Sequence, residues 1–354
     1  MKLAPLSFLI SFIPALAMGQ HYVTKEECTD IDITEKNPIL KEHFAKKRDQ
    51  QNSFLCFAYT GADLLTAELG ISVSTAQVAA AHNKAIFEKY KDNKNKLDVY
   101  LKTNKGVFSS SNENSEMLKG GWTSDALEAV KSEKKICKDT ELPTDLNGAI
   151  QFDNFVFDLD NLRGQQQSGE LTIEQACAKI PQIFNSYAAF EDGVLPEIAW
   201  SLFTKDLNSY VSNVVRSKCR IRYNDLGDFK VKTVANPKSS IGNSKGEMFE
   251  LLDKERVDLY FNSIGDNLKK GKPLSLSYIY STVAEGRNVN QGAHASTIIA
   301  RKWGNGRCHY KIKNSLGKGC RGYKKNIECI PEEGSFWMSD KEIYDGSINL
   351  TYID

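Results

Sequence analysis

Apolar positions crowd together from Phe54 onward. Phe54, Leu55, Phe57, Ala58, Ala62, Leu64, Leu65 and Leu69 cover so much of a helical surface that the helix must be largely buried, and Gly70 marks its stop. Ser74-Thr-Ala-Gln77 has the spacing of a capping box and opens a second helix to about Tyr90. Gly120-Gly121-Trp122 breaks the chain before a short amphipathic helix carrying Ala126, Leu127 and Val130. From about 135 to 255, polar loops such as Gly164-Gln-Gln-Gln-Ser flank two helical patterns, around 172–190 and 195–215. Val257 to Leu268 reads as a helix, Pro273 to Tyr280 alternates as a strand, and two more strands are predicted at His294–Trp303 and Cys308–Lys313. Residues 21–49 hold few apolar anchors and read as an irregular lead-in. The first half is thus helical and the second β-rich.

The extreme N-terminus has a different pattern. Lys2, an apolar run from Leu6 to Ala17 and small residues around Ala17 and Gly19 give the order of a secretory signal peptide, predicting a mature chain from near Gln20. The run is short for a membrane anchor, the rival reading. A secreted or periplasmic chain lies where disulfides persist, which gives the eight cysteines of the 354 residues a reason to exist. Lys and Arg number 46 against 45 Asp and Glu, so neither nucleic acid nor an anionic membrane surface is expected as the main partner.

Most chemical signatures are missing. Gly317, Gly319 and Gly322 spell a literal G-x-G-x-x-G, but in a loop that opens no helix, which argues against dinucleotide binding. Cys308, His309, Cys320 and Cys329 match no standard zinc spacing, so neither metal nor cofactor is expected. One constellation remains. Cys56 opens the buried helix, where backbone N–H groups and the helix dipole favour a thiolate. His294, at the head of a strand, can serve as its base, and Asn314, just after a strand, can accept from the imidazole and orient it. Gln50, six residues before Cys56, can donate to an oxyanion beside the Cys56 N–H. Each residue alone also fits a bland role, a buried cysteine most of all.

In order along the chain, these residues resemble the papain-like cysteine peptidases. Arg48-Asp-Gln-Gln-Asn-Ser-Phe-Leu-Cys-Phe-Ala-Tyr59 is similar to the family's Q-x5-C-[WF]-A-[FY] segment, and Val73-Ser-Thr-Ala-Gln77 to its L-S-x-Q. Gly120-Gly121-Trp122 with Ala126-Leu127 resembles its N-G-G-[YFW]-x3-A-[LF] stretch. Gly292-Ala293-His294-Ala295 resembles the strand bearing the catalytic histidine, and Tyr310 to Gly317 with Gly322-Tyr323 the asparagine-bearing ending.

The resemblance implies an α+β fold of two lobes, one helical and led by the Cys56 helix, one β-rich and carrying His294 and Asn314. It implies Cys56 as nucleophile, His294 as acid and base, Asn314 as the triad asparagine and Gln50 at the oxyanion. Gly120, Gly121 and Trp122 would meet substrate backbone, and a peptide or unfolded protein would be the partner. The organisation implied is a signal peptide over 1–19 and a peptidase domain over 20–354, with an insertion at about 135–255 that the resemblance does not cover. His294 follows Cys56 by 238 residues, against roughly 130–150 in the family. Ser53-Phe54-Leu55 replaces the usual Cys-Gly-Ser, and Leu118 the partner of that cysteine. Leu316 stands where a tryptophan shields the His–Asn bond. These departures motivate the alternative, an inactive pseudoenzyme or peptide-binding module of the same fold. With Cys56 reserved for chemistry, seven cysteines allow at most three internal bridges.

Overall fold

Ten consecutive residues, Phe57 to Thr66, are buried in the helix α2 (Cys56–Leu69), as its unbroken apolar surface requires. It stops at Gly70, whose φ of 64° is the left-handed conformation glycine adopts without penalty. Before it come the short strand β1 (Ile31–Asp32) and the helix α1 (Pro38–Ala45), capped by the Asn37 side chain. The computed structural model describes residues 22–46, 48–50, 55–93, 120–143, 145–146, 149–190, 196–222, 228–240, 247–285, 293–317, 320 and 322–354. Residues 1–19, where a signal peptide is expected, and Gln20, residues 51–54, Leu118, Gly292 and Gly319 lie outside them.

The lead-in is therefore not irregular. Val23, Cys28, Ile33, Leu40 and Phe44 are buried in the core of the β-rich part, and a Cys28–Cys308 disulfide ties the segment to the sheet. Sparse apolar anchors were enough because β1 pairs with the long strand β4 described below and needs few side chains to hold it.

Helix α3 (Thr75–Tyr90) begins at Ser74, whose hydroxyl accepts from the Gln77 N–H. Only half of the expected capping box forms. The Gln77 side chain instead donates to Lys135 O and accepts from the Cys137 N–H at 2.7 Å, fastening the next segment. Helix α4 (Thr123–Glu133) follows Trp122. Then come α5 (Gln151–Gln167), α6 (Ile173–Asn185), α7 (Pro196–Thr204) and α8 (Leu207–Lys218). The Gly164-Gln-Gln-Gln run is the last turn of α5 rather than a loop, and the pattern at 195–215 is two helices, the second capped by Asp206. Helices α2 to α8 share one hydrophobic cluster, and a Cys137–Cys219 disulfide joins the two ends of the stretch between them.

A second cluster lies under an antiparallel sheet of eight strands. Along the chain this part includes β2 (Val231–Ala235), α9 (Glu247–Lys269), β3 (Leu274–Ile279), β4 (Ala293–Gly304), β5 (Arg307–Lys313), β6 (Glu328–Ile330), β7 (Ser335–Ser339), α10 (Asp340–Gly346) and β8 (Ser347–Ile353). The order across the sheet is β6-β7-β5-β4-β3-β8-β2, with β1 joining β4 beyond the end of β3. The chain thus combines helices with an antiparallel sheet, an α+β arrangement, and three disulfides suit an oxidising compartment. Among the described residues no helix is long and apolar enough to cross a membrane.

Candidate active site

Helix α2 packs on β4, and this contact decides what surrounds Cys56. Two sets of hydrogen bonds fix it. Thr297 of β4 donates to the buried Asp63 of α2 at 2.6 Å. Thr60 of α2 meets Thr123 of α4 at 2.8 Å, and Ser275 of β3 donates to the same Thr123 hydroxyl at 3.0 Å. With helix and sheet pegged together, Cys56 at the first position of α2 is carried on the helix that packs against β4, the strand of His294, and the Ala295 N–H favours its charged form.

His294 faces Tyr278 across the β3–β4 ladder, the two rings 5.5 Å apart and perpendicular. Its Nε2 lies 2.8 Å from Asn314 Oδ1. The neighbours of that oxygen settle who donates. The Ser315 backbone N–H, which can only donate, reaches Asn314 Oδ1 at 2.8 Å, and the Ser296 hydroxyl donates to it at 3.3 Å. The amide presents its oxygen, so His294 Nε2 carries the proton and Nδ1 has the lone pair of a base.

Gln50 is brought to the same place by backbone pairing. Its N–H donates to Ser315 O at 2.6 Å, the Gly317 N–H donates to Arg48 O, and Asp49 bridges Leu316. The Ser315 hydroxyl donates to Gln50 Oε1 at 2.5 Å, which fixes the carboxamide. Gly317 has a φ of 74°, and a Cβ there would lie 2.5 Å from an Asp49 carboxylate oxygen, so glycine is required for this close approach.

The protonation states differ from the sequence expectation. Burial pushes the Cys56 thiol above its ordinary value, although the N–H groups of Ala295, Phe57 and Cys56 itself pull the other way. The helix-terminus effect is present and is outweighed by desolvation. Burial likewise lowers His294 to about 4, against which the Asn314 hydrogen bond works. Burial thus works against the thiolate expected from the sequence and keeps His294 neutral at neutral pH.

Gly120, Gly121 and Trp122 lie immediately before α4, with Gly120 at a φ of 83° and Trp122 at the helix N-cap. A Cβ on Gly121 would sit 2.5 Å from the ring of the fully buried His82, which itself packs 4.5 Å from Phe57. The two glycines are thus already demanded by backbone conformation and close packing.

Several residues around the site are not singled out by the sequence reading. Ser296, two positions beyond His294, shares its face of the strand, and alternation would have found it. Tyr278 and Thr297 depend on register and on helix docking. Asp63 sits in an otherwise apolar helix, and that oddity was the available clue. Six cysteines form Cys28–Cys308, Cys137–Cys219 and Cys320–Cys329, which leaves Cys56 and Cys177 as thiols.

No family model matches the chain, and no curated protein matches it in sequence. Among solved structures it is similar to digestive procathepsin L 3 of the Tenebrio molitor larval midgut, at 10% identity and a TM-score of 0.38 over 94% of this chain and 76% of that one. PepW from Lactobacillus rhamnosis gives 12% identity and 0.41 over 86% and 79%. SERA5E from Plasmodium falciparum gives 9% identity and 0.39 over 90% and 93%. Overlap at this level carries no role from those proteins to this chain.

Proposed function

We infer that the protein is a secreted cysteine peptidase of papain-like, two-lobed form, acting through Cys56, His294 and Asn314. The observation that carries this reading is the fixed tautomer of His294. Asn314 Oδ1 accepts from Nε2, so Nδ1 is the basic nitrogen, on the strand against which the Cys56 helix packs. An extended peptide would lie between the helical part and the sheet, beside Gly120, Gly121 and Trp122.

In this reading proton transfer accompanies attack rather than preceding it. Sγ adds to the scissile carbonyl as its proton passes to His294 Nδ1, and the imidazolium that forms is held by Asn314. Gln50, its oxygen engaged by Ser315, offers its NH2 end to the oxyanion together with the Cys56 N–H. The imidazolium protonates the leaving amine. Water then adds to the thioester with His294 as base, and the acid product leaves as the thiol is restored.

Wild-type protein should cleave unfolded protein substrates and take an epoxide-type thiol label at Cys56, and Cys56→Ala should lose both. A wild type that takes no label at Cys56 and cleaves nothing overturns the reading. Leu316, in place of a shielding ring, favours one second reading, an inactive pseudoenzyme or peptide-binding module that retains the fold without turnover. Peptide binding with Cys56 unlabelled would identify it.

A further inference from the structure

Leu316 is only partly buried and offers no ring to the His294–Asn314 bond, yet His294 and Asn314 are just 8% and 4% exposed. Three tyrosines from other parts of the chain supply the cover. Tyr278 and Tyr280 each present an edge contact to the imidazole with ring centres 5.5 Å away. Tyr323 goes further, because its phenol oxygen lies 2.6 Å from Asn314 Nδ2. That nitrogen has only protons to offer, so the phenol accepts.

We propose that Tyr323 is a positioning residue that locks the Asn314 carboxamide with its oxygen toward His294. The proposal rests on the peptidase reading for its catalytic consequence. The two ends of the amide are satisfied by chemically opposite partners. Donors from Ser315, Ser296 and His294 surround Oδ1, and one acceptor, the Tyr323 hydroxyl, meets Nδ2. Without that acceptor, a buried amide N–H loses its partner and the carboxamide is held at its oxygen end alone.

The placement of Tyr323 is itself over-determined. Its ring lies 5.0 Å from Phe336, and its backbone bridges Ala284. The Glu285 N–H donates to Gly322 O at 2.7 Å and the Lys324 N–H to Val283 O at 2.9 Å, while the Cys320–Cys329 disulfide closes the loop around it. The segment it pairs with begins at Tyr280, whose carbonyl accepts from the N–H groups of Val283 and Ala284. One short stretch therefore carries the ring beside His294 and the anchor for the hydroxyl beside Asn314.

The test is Tyr323→Phe in the intact protein, which removes one oxygen and keeps the ring on Phe336. Peptide hydrolysis should lose roughly tenfold in kcat with KM altered by less than about twofold. The melting point should fall by no more than about 4 °C. The decisive readout is independent of turnover. In ring-15N spectra at neutral pH, wild-type His294 should show the single Nε2–H form, and the variant should show mixed tautomers with a faster-exchanging proton. An unchanged His294 spectrum in the variant overturns the proposal, whatever the kinetics show. Likewise, a kcat loss with an intact tautomer and a large drop in melting point would make Tyr323 merely structural. If the spectrum responds while wild type hydrolyses nothing, the positioning role stands and the peptidase reading falls.

Discussion

Replacing Asp63 by asparagine tests the peg that holds the Cys56 helix against the His294 strand. The Asp63 side chain is 3% exposed and is paired with Arg48, itself 10% exposed and lying 5.6 Å over the Tyr59 ring. His43 contacts the same carboxylate at 2.8 Å and Thr297 donates to it at 2.6 Å. Burial alone would raise this carboxyl, but the Arg48 charge and these hydrogen bonds outweigh it and hold it below the usual range. Lys313 is also near, lowered to about 8, chiefly by burial and then by Arg48. Asparagine keeps the shape and an acceptor for Thr297, yet leaves the Arg48 cation buried without its counter-charge. Breaking such a pair from one side costs about 3–5 kcal/mol, a large share of the 5–15 kcal/mol typical of a folded protein. Urea unfolding should show this as a midpoint lowered by roughly 1–2 M with little change in slope. Adding Arg48→Met should recover most of the loss, because the stranded charge is then gone. A single variant costing less than about 1 kcal/mol, or a double variant no better than the single, would refute the reasoning.

Acid should unfold the protein through its buried neutral histidines. His82 and His294 are each lowered by burial to about 4, whereas both return to about 6.5 on unfolding. Above pH 6.5 neither state binds the proton, so stability is flat. As pH falls from 6.5 to 4 only the unfolded chain gains protons, and each histidine withdraws up to about 3 kcal/mol. His82→Asn should make the melting-temperature profile shallower over that window, and an unchanged slope would count against it. Gly121→Ala would drive a Cβ to 2.5 Å from the His82 ring and, through it, against Phe57 beside Cys56. It should cost about 1–3 kcal/mol in thermal unfolding and slow hydrolysis; an alanine variant with wild-type melting would show that the ring moves aside freely.

Local pattern alone reached the helices of the first half and the strands at 274–279, 293–304 and 307–313, because burial on every side, capping residues and period-two alternation are written in neighbouring positions. It also singled out Gln50, Cys56, His294 and Asn314 as a set. It missed helix α5, whose polar last turn looks like a loop, and the lead-in strand, whose hydrogen bonds come from β4 rather than from its own side chains. Tertiary structure alone decided the rest. Strand register put Tyr278 beside His294, and the pairing of residues 48–50 with 315–317 carried Gln50 to Asn314. Desolvation, a property of everything packed around a group, opposes the thiolate expected at Cys56. Sequence thus determined which groups are present and which lie on helix or strand. Only the packing of distant segments determined which of them touch, and in what protonation state.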